Sequence, residues 1–376
     1  MKSKPLFTGI AGGIPSTEGV QVENLIGRSG LNTGNFLFVR ALRNLLGTSD
    51  DIYRDESYYR RSVEEYDYIA ISAANWVNPG VNLGGLTDFI ESTDLPCLVV
   101  GLGAQASFGG KDPKLTEGTK RFLSVVSERS ESISVRGEYT QDVLNRMGIK
   151  NTRVTGCPSL LGLSGRTAPK VDMCKLEGLE PSNIILQSTR HGFSDSVFND
   201  DPAHVFNMSI YRYAFQNHHP LLLQSEKPDI YLTMRRNNNK EIYQKNIEYL
   251  QKVYESDAES VQRYLEGFGL IYWDIDDWLS SISKFNMLIG TRIHGVISGL
   301  LSGVPSTLLV HDERTKELAD FFLLPYIDIR NYSGFDFGLI EEARSEFSLE
   351  NFSDNWGGYF RGFSNFFAEN EVQVSF

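Results

Sequence analysis

The chain has 376 residues, a formal net charge of −12 at pH 7, 41% apolar residues and 22% charged residues. These proportions are ordinary for a globular protein, and the length is large for one hydrophobic core, so we expect two domains. The acidic balance argues against a nucleic-acid partner, because phosphate backbones require a basic face.

The cysteines and the apolar runs bear on the cellular location. Cys97, Cys157 and Cys174 are odd in number and widely spaced, which fits neither a disulfide framework nor a zinc ribbon. The N-terminus lacks the apolar core of a signal peptide, and the weakly polar run 295–310 is too short to span a bilayer. We therefore expect a cytoplasmic protein without a transmembrane segment. A peripheral association with the inner face of the membrane stays open.

Short β-rich runs alternate with helical patterns along the whole chain. In the first half the patterns predict strands at 66–72, 95–101 and 132–135, and helices at 36–46, 86–91, 115–129 and 139–147. In the second half they predict strands at 183–187, 228–232, 270–273, 286–289 and 306–310, and helices at 204–216, 242–254, 256–266 and 277–282. This alternation is typical of βα units and mostly parallel sheets.

A change of composition at 162–182 indicates the domain boundary, because this stretch has two prolines and little periodicity. We predict an α/β protein with two Rossmann-like domains facing each other across a cleft, at 1–165 and 180–340. The aromatic-rich segment 341–376 is predicted to pack back across the junction. A sugar-stacking surface or a membrane-adhering face are the alternatives for that segment.

The segment 288–310 is the best candidate for a functional site. It is interpreted as a buried strand, a tight loop carrying Arg292 and His294, a small-residue helix from about Gly295, and a second strand from about Pro305. Arg292 offers a fork of donors to a carboxylate or phosphate, and His294 exchanges a proton near neutral pH. A surface ion pair and a structural histidine are the competing interpretation. The glycines around the two residues favour a site that approaches an anion closely.

Several motifs together resemble the polysaccharide pyruvyltransferase family. The runs Gly-Thr-Arg-Ile-His-Gly at 290–295, Leu-Leu-Ser-Gly-Val-Pro at 300–305 and His-Asp-Glu-Arg at 311–314 carry most of the resemblance. Further matches are Ser-Val-Arg-Gly and the helix after it at 134–148, Gly-Leu-Gly-Ala-Gln at 101–105, and Asn-Thr-Gly-Asn at 32–35. The chain departs from the family pattern at three places. Asn35 replaces an acidic residue, Gly137 replaces an aspartate, and Glu313-Arg314 replaces Pro-Lys.

The resemblance implies a GT-B-like fold and transfer of a pyruvyl group from phosphoenolpyruvate to two hydroxyls of a sugar, giving a cyclic ketal and phosphate. It implies His294 and Arg292 as catalytic residues, with Arg136, Arg292, Arg314 and Gly295 binding phosphoenolpyruvate. Asn32, Asn35, Asn75 and Gln105 are the predicted acceptor-binding residues. Neither a metal nor a cofactor is expected, since arginines can neutralise the donor. The acceptor is expected to be an oligosaccharide, with a lipid-linked form left open.

The main alternative is a GT-B glycosyltransferase that uses a nucleotide sugar, because such enzymes share the two-domain form and the glycine-rich loops. A sugar-binding scaffold without activity is disfavoured by the joint retention of Arg136, Arg292, His294 and Arg314. The acceptor sugar and its linkage, the ketal ring size and stereochemistry, and homo-oligomer formation stay open. Whether Arg190, Arg235 or Arg236 joins the site is also open.

Overall fold

A computed structural model describes residues 1–48, 62–105, 112–190, 201–236 and 239–375. The strands in this part of the chain are β1 Pro5–Thr8, β2 Tyr68–Ser72, β3 Cys97–Val100, β4 Ile133–Val135, β5 Thr152–Val154, β6 Ile184–Gln187, β7 Leu221–Leu222, β8 Gly269–Leu270, β9 Met287–Gly290, β10 Ser306–Val310 and β11 Tyr326–Asp328. The α-helices are α1 Val22–Arg28, α2 Asn35–Leu45, α3 Gly84–Glu91, α4 Glu117–Glu128, α5 Glu138–Arg146, α6 Pro158–Ser164, α7 Pro202–Gln216, α8 Lys227–Thr233, α9 Lys240–Tyr254, α10 Ala258–Phe268, α11 Ile275–Ile282, α12 Ile293–Leu301, α13 Glu313–Phe322, α14 Phe337–Ser345, α15 Glu350–Asp354 and α16 Trp356–Glu369.

The first half of the chain forms a parallel sheet that is covered on both faces. Its strands lie in the order β1-β2-β3, the parallel pair β4-β5 follows, and a bridge between Leu102 and Val135 joins the two parts. Tyr68 and Ala70 of β2 belong to one apolar core, while Ile69 and Ile71 belong to another. Alternating side chains of one strand point to opposite faces, so both faces are packed and the strand is apolar throughout.

The second half forms a six-stranded sheet in the order β11-β10-β9-β6-β7-β8, and all of its pairs are parallel. The chain builds β6, β7 and β8 outward in one direction and then returns to place β9 on the other side of β6. This reversal is a topological switch point. Ligands of such sheets bind in the crevice beyond the carboxyl ends of the strands at that point.

The predicted α/β class with mostly parallel sheets is confirmed, while one predicted strand is wrong. The segment 228–232 lies in helix α8, Lys227–Thr233, with Pro228 in its first turn. Proline suits that position because the first N–H groups of a helix have no intrahelical acceptor. The β-rich composition of Ile-Tyr-Leu was therefore misleading. Strands β1, β5, β7 and β11 were not predicted, because runs of two to four residues carry little periodicity. The proposed domain boundaries stay a prediction.

Helix α6 connects the two halves of the molecule. It packs against α2 on one side and contacts α12 on the other. A Cβ at Gly162 would lie 2.4 Å from the Ala41 carbonyl oxygen, so only glycine allows α2 and α6 to approach this closely. One apolar core consequently extends from the first sheet through these helices to the second sheet.

The aromatic side chains of the C-terminal segment are largely buried. Trp356, Phe363 and Phe366 of α16 are in the main core, and Tyr359 packs against Phe321 and Phe322 of α13. These contacts account for the aromatic composition without an exposed aromatic surface. Among the described residues, no helix is both long and apolar enough to cross a membrane.

Replacing Gly162 by alanine should lower stability, and replacing Gly362 of α16 should not. Inside a helix, alanine stabilises the folded state by about 1 kcal/mol relative to glycine. At Gly162 the new methyl group meets the backbone of Ala41, and overpacking costs about 1–3 kcal/mol. Among the described residues, no atom lies within 4 Å of a Cβ at Gly362, so there only the favourable helix propensity of alanine should affect stability. Denaturant midpoints measure both variants, and a Gly162→Ala midpoint at or above wild type would contradict the close packing.

Candidate active site

Arg292 and His294 lie where β9 passes into α12. Arg292 is the N-cap residue of α12, with φ −106° and ψ 118°, and His294 is in the first helical turn. The predicted loop is thus shorter than expected, since the helix begins at Ile293 and not near Gly295. The extended backbone at Arg292 takes its side chain out of the helical pattern. Two residues that would diverge on a continuous helix therefore both line the same cavity.

Arg292 forms a buried ion pair with Glu226, which follows β7. Its Nη2 donates to Glu226 Oε1 at 2.6 Å and to Ser225 Oγ at 2.5 Å. The Glu226 carboxylate also accepts from the backbone N–H groups of Gln224 and Ser225, at 2.9 and 3.0 Å. Burial alone would raise the pKa of Glu226, but Arg292 and these N–H groups lower it to about 2. Glu226 is therefore a permanent anion that fixes one branch of the Arg292 guanidinium.

Arg136 approaches the same region from the first sheet. It follows β4, and the glycine turn after β3 holds it, because Arg136 Nε donates to the Gly101 carbonyl at 2.9 Å. Nη1 donates to Asn75 Oδ1 at 3.0 Å. A Cβ at Gly103 would lie 2.9 Å from Arg136 Cδ, so the glycine makes room for the arginine. Among the described residues, no carboxylate lies within ion-pair distance of Arg136, although its side chain is almost fully buried.

The third arginine, Arg314, is in the first turn of α13. Its Nη2 lies 3.6 Å from Oδ2 of Asp312, the N-cap residue of that helix. One turn later, Glu317 accepts from the Thr140 backbone N–H at 3.0 Å and from the Thr140 hydroxyl at 2.8 Å. These bonds join α13 to the start of α5. Burial raises the pKa of Glu317 to about 7, against the effect of Thr140, Arg136 and Arg314.

The three arginines and His294 line one small cavity between the carboxyl ends of the two sheets. Its lining consists of Asn32, Asn35, Phe38, Asn75, Arg136, Gln224, Arg292, Ile293, His294 and Arg314. Three arginines thus converge in a protein of net charge −12. Such a concentration of guanidinium groups fits a ligand that carries more than one negative charge.

His294 is buried beside the arginines. Its ring centroid lies 5.3 Å from that of Phe38, and its Nε2 lies 3.5 Å from Cys157 Sγ. A Cβ at Gly34 would lie 3.0 Å from His294 Cβ, so a glycine gives the N-terminal motif room to pass close to the histidine. Burial is the largest of the effects that hold the pKa of His294 well below its ordinary value. The positive charges of Arg136, Arg314 and Arg292 lower it further. The imidazole is therefore neutral at pH 7.

The predicted acceptor residues have different surroundings. Asn75 holds Arg136, and the Asn32 side chain accepts from the Gly34 N–H at 2.8 Å. The Asn35 amide donates to the carbonyls of Ser29 and Gly30 at 3.0 and 3.1 Å. These three asparagines line the cavity, whereas Gln105 lies outside the lining, and its N–H donates to the Val77 carbonyl at 3.2 Å.

Gly295 also lies outside the lining. Its N–H donates to the Arg292 carbonyl at 3.0 Å, and a Cβ there would lie 2.0 Å from Gln187 Oε1. The glycine therefore makes room for Gln187. The N–H groups of Ile293 and His294, at the first two positions of α12, are the ones that can point to an anion.

The three further arginines named from the sequence lie elsewhere. Arg190 is paired with Asp229 and lies over the ring of Tyr211 at 4.6 Å. Arg236 donates to the Thr17 carbonyl at 2.7 Å, and Arg235 lies 3.5 Å from Glu266. Arg235 and Arg236 border a separate cleft, and they follow helix α8 and not a strand.

Sequence reasoning missed Gln224, Glu226 and Cys157. Gln224 lines the cavity, and its buried Nε2 has no hydrogen-bond partner among the described residues, while Glu226 contacts Arg292 and Cys157 contacts His294. The signal available was the polar run Gln-Ser-Glu directly after the apolar run Leu-Leu-Leu at 221–223. That pattern marks a carboxyl end of a strand, but β7 has only two residues.

The family model for polysaccharide pyruvyl transferase matches residues 32–313 of the chain. No curated protein matches the chain. A solved protein of uncharacterised function from Klebsiella pneumoniae is similar at 11% identity and a TM-score of 0.38, over 79% of this chain and 89% of that one. A putative UDP-N-acetylglucosamine 2-epimerase from Listeria monocytogenes is similar at 13% identity and a TM-score of 0.39, over 99% and 95%. Similarities at these TM-scores support no argument about this chain.

Replacing Arg292 by methionine should destabilise the protein by about 3–5 kcal/mol, because Glu226 is left buried without its counter-charge. The double variant Arg292→Met/Glu226→Gln should recover most of that loss. Arg344→Met, which breaks an exposed pair with Glu341, should cost no more than about 0.5 kcal/mol. Denaturant unfolding of the set measures the coupling. An Arg292→Met variant as stable as Arg344→Met would contradict the role of the buried pair.

Proposed function

The chain belongs to the polysaccharide pyruvyl transferase family, and we propose that it transfers a pyruvyl group from phosphoenolpyruvate to two hydroxyls of one sugar. The sugar belongs to a polysaccharide or its precursor, and the products are a cyclic ketal and phosphate. The observation that carries this proposal is the convergence of Arg136, Arg292 and Arg314 with His294 in one cavity. The setting proposed is the synthesis of a cell-envelope polysaccharide.

The donor fits the charges of the cavity. Phosphoenolpyruvate carries a carboxylate and a phosphate, so it needs two cationic subsites a few ångströms apart. Arg292 and Arg314 stand at the starts of α12 and α13, and the backbone N–H groups at the start of α12, which no side chain caps, also favour a phosphate. Arg136 stands on the wall formed by the first sheet and takes the carboxylate. These arginines neutralise the donor, so the proposal requires no metal ion.

The role proposed for His294 follows from the proton balance of the reaction. The two acceptor hydroxyls lose two protons; one ends on the methylene carbon of the donor and the other on the departing phosphate. His294 protonates the methylene carbon, which makes the adjacent carbon electrophilic, and then takes a proton from an attacking hydroxyl. A neutral imidazole is a poor acid, and burial beside three arginines lowers the pKa of His294. The negative charge of the bound donor offsets the three arginines and raises that pKa.

The acceptor lies on the side of the cavity lined by Asn32, Asn35 and Asn75. Amide groups both donate to and accept from sugar hydroxyls. The departure at Asn35 lies on this side, while Arg314, which stands where the family has a lysine, keeps the positive charge of the donor side. We therefore expect this chain to use the same donor as its family and to differ from other members in the acceptor that it prefers.

Phosphoenolpyruvate should raise the melting temperature of the wild-type protein, and a panel of nucleotide sugars should not. A ligand at 100 times its dissociation constant adds about 2.7 kcal/mol. Arg314→Gln should lose most of this stabilisation, because it removes one donor of the anion site. Arg330→Gln is the matched control, since Arg330 is exposed and lies beside Asp328, outside the cavity. Stabilisation by a nucleotide sugar alone would instead indicate glycosyl transfer.

Binding of phosphoenolpyruvate should be accompanied by proton uptake at pH 7, because the pKa of His294 rises from below neutrality. Calorimetry in buffers of different ionisation enthalpy measures the uptake without an acceptor. In His294→Asn the uptake should fall, and turnover should drop by about 10²–10⁴-fold. His218→Asn is the control, since His218 has a left-handed φ of 55° that asparagine tolerates well. Equal uptake in wild type and His294→Asn would refute the role of His294.

A further inference from the structure

The imidazole of His294 has an unusual buried partner. Among the described residues, Cys157 is its one hydrogen-bond partner, with Sγ 3.5 Å from Nε2. Three arginines surround the ring, and no carboxylate in the described part of the chain bonds to it. The Cys157 thiol is fully buried, and its sulfur also lies 3.0 Å from the Ser159 hydroxyl oxygen. Ser159, Cys157 and His294 thus form a short chain of hydrogen-bonding groups.

The local fold fixes the position of the thiol. Cys157 follows β5 and is the N-cap residue of α6, with φ −105° and ψ 135°. Pro158 begins the helix, and Gly162 allows α6 to pack closely on α2. The thiol is therefore placed at the start of α6, which packs against α2 and α12, and these two helices carry Asn35, Phe38 and His294 of the cavity lining.

A thiol is a suitable hydrogen-bond partner for an imidazole that changes its protonation state. A thiol donates one hydrogen bond and accepts another, although both are weak. It can donate S–H to a neutral Nε2, with the Ser159 hydroxyl donating to sulfur. It can also accept from Nε2–H, with its own S–H turned to Ser159. Either way Nε2 stays bonded to a buried group, and the other ring nitrogen, Nδ1, is left to meet the substrate.

We propose that Cys157 is a positioning residue for pyruvyl transfer, which holds His294 through Nε2 so that Nδ1 exchanges the proton with substrate. This inference rests on the proposed function. The Nδ1–H bond breaks as a C–H bond forms at the donor's methylene carbon, and Nδ1 later regains a proton from an acceptor hydroxyl. The thiol keeps its own proton throughout. Its contribution is the orientation of the ring in both states.

Three variants separate this role from simple packing. Cys157→Ala removes the hydrogen bond to Nε2, and Cys157→Ser keeps a group that both donates and accepts. Cys97→Ala is the control, because Cys97 is a buried thiol in β3, in the other apolar core. Nitrogen NMR of histidine-labelled protein reports the tautomer and protonation of His294. Turnover, its pH profile and the dissociation constant of phosphoenolpyruvate are measured alongside.

In Cys157→Ala the His294 nitrogen shifts should change, turnover should fall by about 10- to 100-fold and its pH profile should move. The affinity for phosphoenolpyruvate should stay within about threefold, since the arginines are intact. Cys157→Ser should recover part of the rate, and Cys97→Ala should leave the nitrogen shifts and the rate as in wild type. If Cys157→Ala does not fold, the serine variant decides by its nitrogen shifts and pH profile.

Unchanged nitrogen shifts, or an unchanged rate and pH profile, in Cys157→Ala would overturn the inference. The two proposals fail in distinguishable ways. Wild-type protein that does not bind phosphoenolpyruvate would refute the donor assignment, and the nitrogen shifts would still test the thiol–imidazole bond. Binding with proton uptake, combined with insensitivity to Cys157→Ala, would refute the positioning role alone.

Discussion

The buried Arg292–Glu226 pair is the interaction on which the site depends. Three guanidinium groups and a histidine are brought together away from water, and their mutual repulsion must be opposed before any ligand arrives. Glu226, which follows β7, opposes it, and its pKa of about 2 keeps it ionised at neutral pH. Arg136 is held by the Gly101 carbonyl, by Asn75 and by the ring of Phe38, and no carboxylate of the described residues forms an ion pair with it. Burial, together with the remaining positive potential, lowers the pKa of His294, and the proposed anionic donor would offset that potential.

Close backbone approach gives this arrangement its geometry. Arg136 passes over Gly103, the N-terminal motif passes His294 at Gly34, and α2 meets α6 at Gly162. The contact at Gly34 joins the first half of the chain to the second, while the contacts at Gly103 and Gly162 pack elements of the first half closely against one another. The cavity is thus a product of the tertiary packing. Neither sheet alone supplies the three arginines, since Arg136 comes from one and Arg292 and Arg314 from the other.

The sequence predicts the fold class and those site residues that belong to a motif or to a long periodic pattern. The parallel α/β class follows from alternating strands and helices, and Arg136, Arg292, His294 and Arg314 stand in recognisable motifs next to predicted strands. The partners of those residues were not predictable. Glu226 lies after a strand of two residues, and Cys157 is 137 positions from His294 in the chain. Such contacts depend on the packing of α6 and β7, which no local pattern encodes. Pro228 shows the opposite failure, since β-rich neighbours concealed a helix start.

The most direct measurement is a crystal structure of the wild-type protein with phosphoenolpyruvate. We expect its phosphate beside Arg292, Arg314 and the start of α12, its carboxylate beside Arg136, and its methylene carbon facing the His294 ring. Density for the ligand in another cleft, or an orientation with the methylene carbon turned away from His294, would contradict the donor site and the role of the histidine.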